Sequence, residues 1–93
     1  MTVRELESIL RERNIFQEFG LLRLGIFGSF ARGEEYNDID FLLEQDMDYK
    51  TRKLLKHKLQ NILKVKVDLV SQKFADPVIL YRALKELIYV WVS

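Results

Sequence analysis

Apolar positions along this chain fall into blocks whose spacing alternates between a helical and a strand period. Val3, Leu6, Ile9, Leu10, Phe16 and Phe19 keep a helical period. Thr2 and Glu5 have the spacing of a capping box, and Gly20 stands where such a helix would stop. Leu21 to Phe27 is mostly apolar and predicts a buried strand. Ser29 is placed to cap a short helix ending near Gly33, and residues 34–37 read as a polar loop. Asp38 to Glu44 predicts the second strand. Asp48 is placed to cap a long helix reaching about Lys64, with Leu54, Leu55, Leu59, Ile62 and Leu63 as its buried stripe. Val65 to Val70 alternates and is rich in β-branched residues, which predicts a third strand. Asp76-Pro77 pairs an N-cap with proline at the first helical position, and Leu80, Ala83, Leu84, Leu87 and Ile88 form the apolar face that follows. Ile88 to Val92 either finishes that helix or makes a last short strand; its β-branched and aromatic content favours strand.

This order predicts one α/β (α+β) domain over residues 1–93: a small mixed β-sheet with helices packed on one face. Successive strand residues point to opposite faces. Ile39, Phe41 and Leu43 then share one face, as do Val65, Val67 and Leu69. Asp38, Asp40 and Asp68 all fall on the opposite face, with Leu42, Lys66 and Val70. Three acids on one sheet face do not serve packing.

Composition narrows the classes. Fifteen Lys and Arg against fourteen Asp and Glu give a net charge of +1. No bulk attraction to nucleic acid or to a membrane surface follows from that balance. No cysteine is present, which excludes disulfides and thiolate metal sites. The first turns carry Arg4, Glu5 and Glu7, unlike a signal peptide, and no apolar run reaches transmembrane length. A cytoplasmic, soluble protein is the expectation. The basic positions Lys50, Arg52, Lys53, Lys56, Lys58 and Lys64, with His57 among them, read as a solvated helix face.

The chemistry concentrates in Gly28-Ser29 and Asp38-Ile39-Asp40. A Gly-Ser turn between a strand and a short helix suits phosphate, because glycine permits close backbone approach and the free N–H groups of a helix start face an anion. Two carboxylates side by side on a strand offer the hard oxygen ligands that Mg²⁺ prefers. Together they read as a Mg²⁺–nucleotide site.

The stretch Gly28-Ser29-Phe30-Ala31-Arg32-Gly33-Glu34, followed by Asp38-Ile39-Asp40-Phe41, resembles the signature of the minimal nucleotidyltransferases of the DNA polymerase β superfamily. Val67-Asp68-Leu69-Val70 and Ile88-Tyr89-Val90 resemble later parts of the same family, so the likeness runs from the first strand to the end. It implies a nucleotidyltransferase fold that binds Mg²⁺ and ATP, with a two-metal site. It implies catalytic and metal-binding roles for Asp38, Asp40 and Asp68, and nucleotide contacts for Gly28, Ser29 and Arg32, where Arg32 could instead form an ion pair with Glu34 or Glu35. Many members act as the antitoxin of a small helical HEPN-type toxin, and some transfer AMP to a tyrosine of that partner. The eight residues from Phe30 to Asn37 are a shorter loop than is usual there, and Asn37 stands where serine is common.

The leading expectation is an enzyme: a Mg²⁺-dependent protein adenylyltransferase serving as an antitoxin. Its rival is a binding module of the same fold that neutralises its partner by contact. Retention of all three acids favours the enzyme. RNA modification fits less well, because charge is balanced and no second domain is available to hold RNA. Tyr89 and Trp91 suit either the core or an interface with the helical partner or a second copy.

Overall fold

The computed structural model describes residues 1–93. Its elements, in chain order, are α1 (Val3–Glu12), α2 (Ile15–Glu18), β1 (Arg23–Phe27), α3 (Gly28–Ala31), β2 (Asp38–Leu43), α4 (Tyr49–Leu63), β3 (Lys66–Ser71), α5 (Pro77–Glu86) and β4 (Ile88–Trp91). The four strands form one mixed sheet in the order β3-β2-β1-β4. β1 is antiparallel to both its neighbours, and β2 is parallel to β3.

Three of the four expected helix starts are in place, for physical reasons that are local; Ser29 instead lies inside α3, whose N-cap is Phe27 with no side-chain cap. Thr2 and Glu5 form the capping box of α1, Asp48 accepts from Thr51 N–H to open α4, and Asp76 accepts from Val78 N–H ahead of Pro77. Ile88–Trp91 is a strand rather than a helix end. The long first helix expected from the apolar period is broken. Asn14 adopts left-handed φ 57°, and a separate turn, α2, follows. Continued as one helix, the phase set by Leu6 and Leu10 would aim Asn14 and Gln17 inward. The break turns Ile15 and Phe16 in instead, and both are fully buried.

Ile39, Phe41, Leu43, Val67, Leu24, Ile26 and Val90 supply the sheet side of the core, and Leu6, Leu10, Ile15, Phe16, Leu55 and Leu59 cover them from α1, α2 and α4. Leu54, expected in the α4 stripe, is 60% exposed instead. It lies one position off the Leu55–Leu59 line, so about 100° of helix rotation carries it away from the sheet.

The sequence suggested helices on one face only, and α4 with α1 and α2 covers that face, but α5 does not join them. The second face is crossed by the end of α5: a Cβ placed on Gly25 would meet both Leu87 and Leu42, and Leu42 is fully buried outside the main core. Crossover handedness explains this. β2 to β3 steps one way across the sheet, and β3 to β4 steps back past β2 and β1. Parallel crossovers are right-handed, so steps in opposite directions put α4 and α5 on opposite faces.

The outer edge of β4 is closed by α1. Trp91 N–H donates to the buried Glu7 carboxylate at 2.9 Å, and Arg11 donates to Trp91 C=O at 2.9 Å. Burial acts to raise the Glu7 pKa, but the Trp91 N–H and the Arg11 and Arg4 charges outweigh it and hold the carboxyl below its ordinary value. Tyr89 and Trp91 face away from the main core. Arg23 stacks 3.7 Å from the Tyr89 ring centroid and pairs with Glu44, whose carboxylate also accepts from Tyr89 Oη–H.

Candidate active site

The strand ladder brings the turn and the acids together. Phe27, the last residue of β1, lies opposite Asp40 in β2, so the next residue, Gly28, sits directly beside the Asp40 side chain. Gly28 has φ +79°, and a Cβ there would collide with the Asp40 carboxylate. Glycine is required twice at this position: for the left-handed backbone and for the close approach. The short 30–37 loop does not set the spacing of turn and acids; the β1–β2 register does. The loop closes over itself, with Phe30 buried and packed edge-on against Tyr36 at 4.8 Å between ring centroids.

Asp38 and Asp40 alternate on β2, and Asp68 on β3 lies level with Asp40. The three acids therefore share one sheet face. Asp40 and Asp38 are partly covered, and Asp68 is exposed. Burial first, then the charges of Asp38, Asp68 and Glu86, push the Asp40 carboxyl up from 3.8 to about 6, while Arg32 pulls it partly back. A cation placed among these groups would relieve that repulsion. The side chains do not close into a ready cage of three or more ligands.

Ser29 follows Gly28 in the first turn of α3 and is half-buried. Arg32, at the end of α3, is held by two acids, Glu34 at 3.1 Å and Glu86 at 2.7 Å. Both raise its pKa, the Glu34 hydrogen bond most. Glu34 was a sequence expectation for Arg32. Glu86 was not, and its second oxygen accepts from Gly28 N–H at 3.0 Å. It lies 58 residues from Gly28 and carries no local motif, so only the path of α5 across the sheet reveals it. The largest surface concavity, about 620 Å³, lies between α2 and α4 against Phe19, Leu54 and His57. Asp38, Asp40 and Asp68 line none of the four concavities.

A mixed four-stranded sheet with a Gly-Ser turn after its first strand and acids opening its second has the architecture of a nucleotidyltransferase. The chain belongs to the polymerase β nucleotidyltransferase family, which matches residues 6–91. Among curated relatives, the protein adenylyltransferase MntA of Thermococcus cleftensis is 33% identical over 97% of both chains. Among solved structures, a toxin–antitoxin complex with AMP-PNP superposes with TM-score 0.71 at 25% identity, covering 91% of this chain and 73% of the other. A complex of tri-AMPylated Shewanella oneidensis HEPN toxin with MNT antitoxin gives TM-score 0.65 at 22% identity, covering 94% and 73%; at that identity the likeness is one of fold. No helix is long and apolar enough to cross a membrane.

Proposed function

We propose that this nucleotidyltransferase transfers AMP from ATP to a tyrosine hydroxyl of a small helical HEPN-type protein and so acts as its antitoxin. The observation that carries the reading is the packing of Gly28 against Asp40 within a face that also holds Asp38 and Asp68. The full-length likeness to a relative named as a protein adenylyltransferase supports the protein acceptor. The likeness to a toxin–antitoxin complex with AMP-PNP supports both nucleotide and partner.

In the reaction, the acceptor oxygen bonds to the α-phosphorus, the bond to the bridging oxygen breaks, and pyrophosphate leaves. Asp38 and Asp40 would hold Mg²⁺, with Asp68 completing the set. Bound there, the metal supplies charge neutralisation for the attacking and leaving oxygens. Asp68 is exposed beside the pair and accepts the proton of the incoming hydroxyl. Gly28 lets the triphosphate approach the backbone, and the α3 N–H groups and Ser29 hydroxyl donate to it. Arg32 supplies positive charge at the same turn.

The test is transfer of labelled AMP from ATP to the co-expressed partner, with Asp40→Asn as the variant. Loss of a charged ligand should lower the rate on the order of a thousandfold, with the fold and the partner complex intact. A wild type that transfers nothing with any nucleotide, beside an Asn variant that still neutralises its partner, would assign contact alone as the mechanism.

A further inference from the structure

Glu86 divides its carboxylate between two donors of the Gly-Ser turn. Oε2 accepts from Gly28 N–H at 3.0 Å, and Oε1 accepts from the Arg32 guanidinium at 2.7 Å. A backbone N–H and a guanidinium that converge on one anion present what a phosphate needs. Here a side chain of the protein takes both.

The body of the helix that carries Glu86 is weakly anchored, while its end is held where Leu87 lies against Gly25 and Ile88 enters the sheet. Of the ten residues of α5, Ala83 alone is buried. Val78, Ile79, Tyr81 and Leu84 are 60%, 48%, 61% and 49% exposed. An element with so little buried surface moves at small cost. The carboxylate also stands within the field of the acids, adding to the repulsion on Asp40. Its position is therefore unfavourable to the acidic face, and its hydrogen bonds hold it there.

We propose that Glu86 latches the nucleotide turn: its carboxylate occupies the Gly28 and Arg32 donors in the free protein and is displaced when the phosphates of a nucleoside triphosphate take them. This rests on the reading that the triphosphate meets Gly28 and Ser29. On displacement, Arg32 exchanges one anion for another and the Glu86 side chain rotates away from the turn. A nucleoside monophosphate lacks the distal phosphates and leaves the latch in place, so the site distinguishes substrate from the AMP moiety. The apparent affinity for triphosphate is reduced by the fraction of molecules in which the latch is open.

The experiment is calorimetric titration of Mg²⁺–AMP-PNP, and separately of AMP, into the wild type, Glu86→Ala, Glu86→Gln and Glu34→Ala at constant ionic strength. Urea unfolding confirms that each variant is folded. Glu86→Ala should bind AMP-PNP about tenfold tighter, about 1.4 kcal/mol, with AMP unchanged. Glu86→Gln keeps the shape and the Gly28 hydrogen bond but loses the charge, and should gain about threefold; it serves if the alanine variant does not fold. Glu34→Ala removes a charge from Arg32 without touching Gly28 and should change affinity less than twofold. Equal or weaker AMP-PNP binding by folded Glu86 variants would make Glu86 a structural brace and overturn the latch. An equal gain in Glu34→Ala would assign the effect to general electrostatics and overturn it too. Absence of AMP-PNP binding in every protein, the wild type included, would overturn the nucleotide reading and the latch together.

Discussion

Asp40→Asn should make the metal-free protein more stable even as it removes the chemistry. The Asp40 carboxyl is pushed from 3.8 to about 6 by burial and by Asp38, Asp68 and Glu86. That rise of about two on the pH scale, at about 1.4 kcal/mol for each, sets a ceiling near 3 kcal/mol. Asp40 is only partly covered, so solvent screening reduces the expected effect to about 1 kcal/mol. The sign follows from linkage: the folded protein holds the Asp40 proton more tightly than the unfolded chain does. Its cost to stability is absent below about pH 4, grows between about pH 4 and pH 6, and is complete above that. Asparagine keeps the size and removes the charge. Urea unfolding of both proteins with a chelator should give converging stabilities near pH 4 and an advantage of about 1 kcal/mol for the variant at pH 8. Adding Mg²⁺ should then raise the wild type toward the variant, because only the wild type gains a full ligand set. A variant equal to or less stable than the wild type at pH 8, or a gap that does not change with pH, would refute the account of charge repulsion at this face.

Gly28→Ala should cost about 1–2 kcal/mol from the left-handed backbone alone. By displacing the Asp40 side chain it should also abolish AMP-PNP binding, read by thermal unfolding and calorimetry. Glu7→Gln should cost about 1–2 kcal/mol at pH 7, because the Trp91 N–H, Arg4 and Arg11 lose a charged acceptor. The Glu7 pKa is lowered in the folded state, so its contribution is present above the ordinary value of 4.5 and is lost as pH falls below it. Melting curves of the two proteins should accordingly draw together in acid; a gap that persists there would mean shape rather than charge matters at this position.

Most of the element starts were legible in the sequence because they depend on a few adjacent residues. Thr2 with Glu5, Asp48, and Asp76 with Pro77 each satisfy free N–H groups within one turn, whatever the rest of the fold does. Strand parity was legible for the same reason, and it placed Asp38, Asp40 and Asp68 on one face before any pairing was known. Family likeness along Gly28-Ser29 and Asp38-x-Asp40 extended that to a nucleotidyltransferase, and the family match over residues 6–91 agrees. Tertiary structure decided what depends on residues far apart. The break at Asn14 reflects the need to turn Ile15 and Phe16 into a core built mostly by later segments. The placement of α5 on the acid face follows from strand order and crossover handedness, neither of which a linear pattern encodes. That crossing carries Glu86 to Gly28 and Arg32 across 58 and 54 positions. The three acids were readable because a strand repeats every two residues, whereas the carboxylate beside the turn was not, because only the packed sheet brings it there.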